Sequence, residues 1–127
     1  MRNIKFRGKS LATGEWLYGS HFNDGAEDYI LPNLPSGAVD YEMYQVDQNT
    51  IGQFTVLYDK AGKEIYEGDI LRAGEEKTLL EVRFVRGVFA FLWNGDLDDE
   101  FPCNAPTQEW AEVVGNIHDI PKMIKRK

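Results

Sequence analysis

Ile4 and Phe6 alternate with Lys5 and Arg7, the period-two pattern of a short half-buried strand. Ala12-Thr13-Gly14-Glu15 is turn chemistry, and Trp16 to Phe22 resumes as a strand interrupted at Gly19, so the opening predicts a hairpin. On its second strand Trp16, Tyr18 and Phe22 share one face while Leu17 points the other way, and bulky rings in such a set are expected in the core. Residues 23 to 40 hold Asp24-Gly25, Pro32, Pro35 and Ser36-Gly37 and read as loop, with an edge strand at Tyr29 to Leu31. Gln53 to Tyr58 is β-branched and aromatic. It ends in Asp59-Lys60-Ala61-Gly62-Lys63, where Gly62 can take the left-handed position that closes a hairpin. Glu67-Gly68-Asp69 turns Ile65-Tyr66 into a strand at Ile70-Leu71-Arg72. Leu79 to Val85 and Val88 to Trp93, joined at Arg86-Gly87, make the clearest hairpin. Ala111 to Ile117 is a last strand, and Asp119-Ile120-Pro121 offers the start of a helical turn too short to be stable alone.

These elements predict a mostly β chain: a single domain over residues 1–127, built of short antiparallel strands and curled or barrel-like so that few edges remain. Helix is limited to short turns. The length suffices to bury a core without disulfides or a structural metal. Cys103 is the only cysteine, so no internal disulfide and no cysteine-rich zinc site can form. No apolar run approaches the roughly 20 residues that span a bilayer, and the first seven residues alternate in polarity instead of opening a leader. A cytoplasmic protein with no membrane partner is expected.

Charge changes the picture. The chain has 14 Lys and Arg against 21 Asp and Glu, a net of −7. Arg2, Lys5, Arg7 and Lys9 precede any acid, and Lys122, Lys125, Arg126 and Lys127 close the chain. Residues 10 to 121 therefore carry the remaining six bases against all 21 acids, a net of −15. Such a body repels phosphate backbones, so its expected partner is a protein and not a nucleic acid. A nucleic-acid-binding β-barrel module would have to use the basic termini with Arg83 and Arg86, which lie near Phe89, Phe91 and Trp93 in sequence.

Candidate chemistry is sparse. Asp96, Asp98 and Glu100 alternate like ligands of a calcium loop, but the glycine precedes the first acid and no bidentate Glu follows at the required offset. His21 and His118, with Asp24 or Asp119, could serve a metal-dependent enzyme, yet their spacing does not require it. Cys103 has neither a helix start nor a base beside it, and the serines lack a nucleophile-elbow context. The sequence thus assigns no catalytic residue, no metal ligand and no cofactor.

The most distinctive string is Gly62-Lys63-Glu64-Ile65-Tyr66-Glu67-Gly68-Asp69-Ile70-Leu71. Its first reading is structural: Gly68 permits a positive φ, Asp69 can accept from local N–H groups, and Ile65 and Ile70 point in while Glu64 and Glu67 stay out. The candidate partner surface combines Glu64, Tyr66, Glu67 and Asp69 from this string with Trp93, Asp96 and Asp98.

At this string the chain resembles the YopX family of bacteriophage and prophage proteins. Ile4-Lys5-Phe6-Arg7 is similar to the family's start. Thr50 to Thr55 followed by Asp59 to Ile70 matches its central signature, Val82-Arg83-Phe84 with Gly87-Val88-Phe89 its later hairpin, and Val114 to His118 with Pro121 its close. Residues about 23–45 and 94–109 have no counterpart and read as variable loops. Val56-Leu57 departs from the pattern, standing where Thr-Gly is common. The resemblance implies a β-rich architecture and brings no catalytic residue or cofactor. By analogy of fold alone, the Gly-Asp-Ile turn before a strand is similar to SH3-like elements. The acidic surface, the 13% aromatic share and the lack of a catalytic constellation lead to the expectation of a non-catalytic phage accessory protein in the bacterial host cell, binding a host or phage protein or a second copy of itself.

Overall fold

The computed structural model describes residues 4–32, 42–73, 78–93, 100–102 (backbone only) and 107–120. It is mostly β, with two antiparallel sheets, and among the described residues neither closes into a complete barrel. The chain divides into two compact units, residues 1–54 and 55–127, with the division falling inside one strand.

The first unit contains β1 (Phe6–Lys9), β2 (Trp16–Asn23), β3 (Asp28–Pro32), β4 (Tyr44–Val46) and the start of β5 (Gly52–Tyr58), in the order β4-β3-β2-β1-β5. The predicted opening hairpin is present. Ser10 Oγ accepts from the N–H groups of Ala12 and Thr13 (3.2 and 3.3 Å), and Gly14 takes a φ of 75° to finish the turn. The β2–β3 turn is held likewise, with Asn23 Oδ1 accepting from Gly25 N–H (2.8 Å) and Asp24 Oδ1 from Ala26 and Glu27 (2.9 and 2.7 Å).

Three expectations need correction here. Tyr29 to Leu31 belongs to an inner strand and not an edge, because β4, read as loop, pairs on its far side with Gln45 opposite Tyr29. The sheet then curls until β4 meets β1. Ser10 bridges to Val46, Asp47 N–H donates to Lys9 O (2.8 Å) and Leu11 N–H to Gln45 O (3.1 Å). This is a single bridge and not a ladder, so the unit is curled without being sealed. Finally, Trp16, Tyr18 and Phe22 are not core. The inward face of β2 is Leu17, Gly19 and His21, because the register opposes Leu17 to Gly8 and Gly19 to Phe6. Ile30 and Val46 fill that interior. A Cβ at Gly8 would stand 3.1 Å from the Val46 side chain, and one at Gly19 would overlap the Leu31 carbonyl.

In the second unit the remainder of β5 pairs on to β6 (Glu64–Tyr66). A five-stranded sheet follows, ordered β10-β9-β8-β7-β11, from β7 (Asp69–Ala73), β8 (Thr78–Val85), β9 (Val88–Trp93), β10 (Glu100–Pro102) and β11 (Ala111–Asn116). Residues 94–109, expected as one variable loop, include β10, which pairs with Leu92, Phe91 and Ala90, and most of a single helical turn, α1 (Thr107–Trp110). Both are too short to show a periodic signal. The helical turn predicted from Asp119 runs into residues outside those described.

Ile65, Leu71, Leu80, Val82, Phe91 and Ala111 form the core of this unit, and Trp110 stands edge-on to Phe91 with ring centroids 5.4 Å apart. Arg86 and Gly87 both have positive φ (49° and 85°), the requirement of a two-residue hairpin turn whose twist matches its strands. Val56 also has a left-handed φ, 70°, an uncommon state for a β-branched residue.

Candidate functional site

The central signature builds two consecutive turns. In the first, Asp59 ends β5 with a buried carboxylate (3% exposed). Its Oδ1 accepts from the N–H groups of Ala61 (2.9 Å) and Lys63 (2.8 Å), and its Oδ2 from Val113 N–H on β11 (3.0 Å). Gly62 has a φ of 83°, and Lys60 N–H donates to Ala111 O (2.9 Å). Burial is the largest single influence on Asp59 and pushes its pKa up. The N–H donors of Val113, Lys63 and Ala61, with the Lys63 charge, outweigh it and hold the carboxyl below the usual aspartate range.

In the second turn Asp69 Oδ2 accepts from Tyr66 N–H (2.7 Å), as the local-acceptor reading expects. Gly68 takes a φ of 94°, donates its N–H to Val82 O (2.7 Å) and accepts from Ile117 N–H (2.9 Å). Tyr66 O–H donates to Glu64 Oε1 (3.0 Å). The signature therefore pins β6, β7, β8 and β11 to one another.

That role divides the predicted partner surface. Tyr66 and Asp69 are 2% and 1% exposed, and side chains so buried cannot meet a partner. Glu64 and Glu67 are half-buried, Trp93 is exposed at the end of β9, and Asp96 and Asp98 lie outside the described residues. Beside the first turn, Arg72 donates to Glu112 (2.6 Å), with Lys60 3.9 Å from the same carboxylate. The Arg72 hydrogen bond, then its charge and that of Lys60, hold the Glu112 carboxyl below its ordinary value. All three side chains are partly open to water, so the network adds little stability.

Arg83 Nε lies 3.4 Å from Glu81, whose side chain is fully buried on β8. A glutamate between Leu80 and Val82 gave no sequence signal, since alternation alone would send it to solvent. At the hairpin end Phe84 and Phe89 meet edge-to-face, centroids 5.2 Å apart, with Phe84 52% and Val88 53% exposed. Phe84 and Phe89 continue the core face of β8 and β9 past its cover, while Val88, opposite Val85, stands on the other face.

In the first unit, His21 Nε2 stands 2.7 Å from Asp28 Oδ1, which also accepts from Asn23 Nδ2 (3.0 Å). These bonds, Asn23 first and His21 next, lower the Asp28 pKa. Phe6 lies 5.5 Å from the His21 ring. No hydroxyl or thiol contact to this pair is present among the described residues, and none of their His, Cys, Asp and Glu side chains group in threes as a metal site. The backbone N–H of His118 donates to Asn116 Oδ1 (3.0 Å), and His118 lies 97 positions from His21 in the chain. Cys103, the acidic run from Asp96 and the basic residues 122–127 lie outside the described residues. No described helix is long and apolar enough to cross a membrane.

A third feature escaped the sequence reading altogether. The β1–β2 register sets Arg7 opposite Tyr18 and Lys9 opposite Trp16. Arg7 stacks over the Trp16 ring (4.5 Å to its centroid), Lys9 approaches it at 5.5 Å, and Lys5 lies 5.3 Å from the Phe54 ring. The signal was available: cations alternate at 5, 7 and 9 while rings alternate at 16 and 18. What was missing was their shared face.

Comparisons with known proteins agree with this architecture. No curated protein matches the chain. A solved structure, that of protein EF1440 from Enterococcus faecalis, superposes with a TM-score of 0.58 at 26% identity, covering 98% of this chain and 100% of the other. A family model described as YopX protein matches residues 5–125, spanning both units and every turn described above. With the signature's turns in place and nearly the whole length matched, the chain belongs to the YopX family.

Proposed function

We propose that the chain is a non-catalytic phage or prophage accessory protein that binds another protein in the bacterial cytoplasm. The observation that carries this reading is the end of the β8–β9 hairpin, where Phe84 and Val88 stand more than half exposed around the Arg86-Gly87 turn. Large apolar side chains left exposed on both faces of a hairpin end are a common element of protein interfaces. The acidic body supplies charge that would steer a basic partner.

The test pairs two variants, Phe84→Glu and Val88→Glu, with the unmodified chain in pull-downs from host lysate and in sedimentation. The expected result is a partner, or a second copy, retained by the unmodified chain and lost from both variants at unchanged melting temperature. Capture that survives both substitutions, or no specific capture at all, refutes the proposal.

A further inference from the structure

We propose that the outward face of β2 and β3 beside their turn receives arginine side chains of a basic protein segment, the guanidinium planes stacking on Phe22 and Tyr29 and their N–H groups meeting the carboxylates of Asp24 and Glu27. Residues directly opposite in an antiparallel pair share a face, with Cβ atoms about 4.5–5.5 Å apart. Phe22 stands opposite Tyr29, and Tyr29 opposite Gln45, so two rings and an amide lie side by side across β2, β3 and β4. Phe22 is 49% exposed, Tyr29 and Gln45 are half-buried, and Asp24 and Glu27 are exposed.

Neutral donors draw both acids to this face. Tyr29 O–H donates to Asp24 Oδ2 (3.3 Å), and Gln45 Nε2 donates to Glu27 Oε2 (2.6 Å). Asp24 Oδ1 takes the N–H groups of Ala26 and Glu27. These bonds position the carboxylates without cancelling their charge. The backbone donors hold the Asp24 carboxyl below its ordinary value. Burial, then the Asp24 charge and hydrogen bond and the Glu27 charge, push the Tyr29 hydroxyl up. No Lys or Arg occurs between Lys9 and Lys60. Arg7 and Lys9 lie over the Trp16 ring and Lys5 over Phe54, while His21, opposite Ile30, joins Asp28 on the other face. Among the described residues neither Asp24 nor Glu27 has an ion-pair partner. An open ring beside a fixed carboxylate suits a guanidinium, which stacks through its plane and donates through its fork. A lysine ammonium lacks the flat fork and gains less from the same groups.

This face belongs to the first unit and does not depend on binding by the β8–β9 hairpin. The test is fluorescence anisotropy of a labelled hexa-arginine peptide with the full chain at low salt, with hexa-lysine for comparison. Hexa-arginine should bind, weaken as salt rises, and bind tighter than hexa-lysine. Phe22→Ala and Phe22→Leu should each lower its affinity about three-fold, because leucine keeps the apolar bulk without the ring face. Glu27→Gln should lower it about three-fold as well, whereas Glu109→Gln, which removes the same charge from an exposed site in the second unit, should not. Phe84→Ala should leave it unchanged, which separates this face from the hairpin interface. No binding by the folded chain overturns the proposal. So does equal loss from Glu27→Gln and Glu109→Gln with none from Phe22→Ala, the mark of general attraction to an acidic body. Self-association of the full chain that Phe22→Ala abolishes and hexa-arginine does not displace would give the face to a second copy, and overturns it too.

Discussion

Truncating Asp59 to alanine removes the acceptor for three backbone donors at 2.8 to 3.0 Å in a site 3% exposed. Each buried donor left without a partner costs about 1–3 kcal/mol. Water entering the vacated volume can satisfy one or two of them, so the net loss is about 3 kcal/mol. Against a stability of roughly 6–19 kcal/mol for a chain of this length, that is a large fraction. With a urea m-value of about 2 kcal/mol/M, the unfolding midpoint should fall by about 1.5 M at unchanged m. Asp59→Asn keeps Oδ1 for Ala61 and Lys63 but turns an amide N–H against Val113, so about half the loss remains. Asp24→Ala is the control. Asp24 makes the same kind of bonds to Ala26 and Glu27, but in an exposed turn where water replaces it, and its midpoint should hardly move. If Asp59→Ala and Asp24→Ala shift the midpoint equally, the claim that buried acceptors in the signature hold the second unit together is wrong.

Other outcomes follow from the same geometry. At Val56, glycine should exceed alanine by about 0.5–1 kcal/mol, since the left-handed state costs an L-residue about 1–2 and glycine's entropy returns about half. At exposed Phe84, with no positive φ, the order should invert; alanine equal to or better than glycine at position 56 would disprove the strain. Gly19→Ala should unfold the β2–β3 pairing, read by Trp16 fluorescence, whereas Gly8→Ala meets only a Val46 side chain and should cost much less; equal effects would contradict the close approach at Gly19. The carboxyls of Asp59, Asp28 and Glu112 titrate lower in the folded chain than in the unfolded one, so their stabilisation is complete above about pH 5 and fades as acid approaches their folded values. Thermal melts of Asp59→Asn across that range should show a shallower acid limb, and a limb superimposable on the unmodified chain's would rule Asp59 out.

The turns were legible because their chemistry is local. Gly62, Gly68 and Gly87 adopt positive φ where their neighbours demanded it, and Asp69 accepts from a backbone three residues away. Short elements without a full period, β4, β10 and α1, were missed because they are defined by what pairs with them. The predicted surface lost Tyr66 and Asp69 for the same reason: alternation assigns a face, but only packing says whether that face is covered.

The sequence by itself therefore determined the strand-rich class, the hairpin positions and the family, since these rest on periodicity and on turn residues a few positions apart. Only the tertiary structure decided which side of each strand is buried. It turned Trp16, Tyr18 and Phe22 outward beside Lys5, Arg7 and Lys9, and it carried Asp59 to Val113 across 54 residues. Register between strands is a long-range property: a shift of one residue exchanges the two faces, and nothing in a strand's own alternation records its partner.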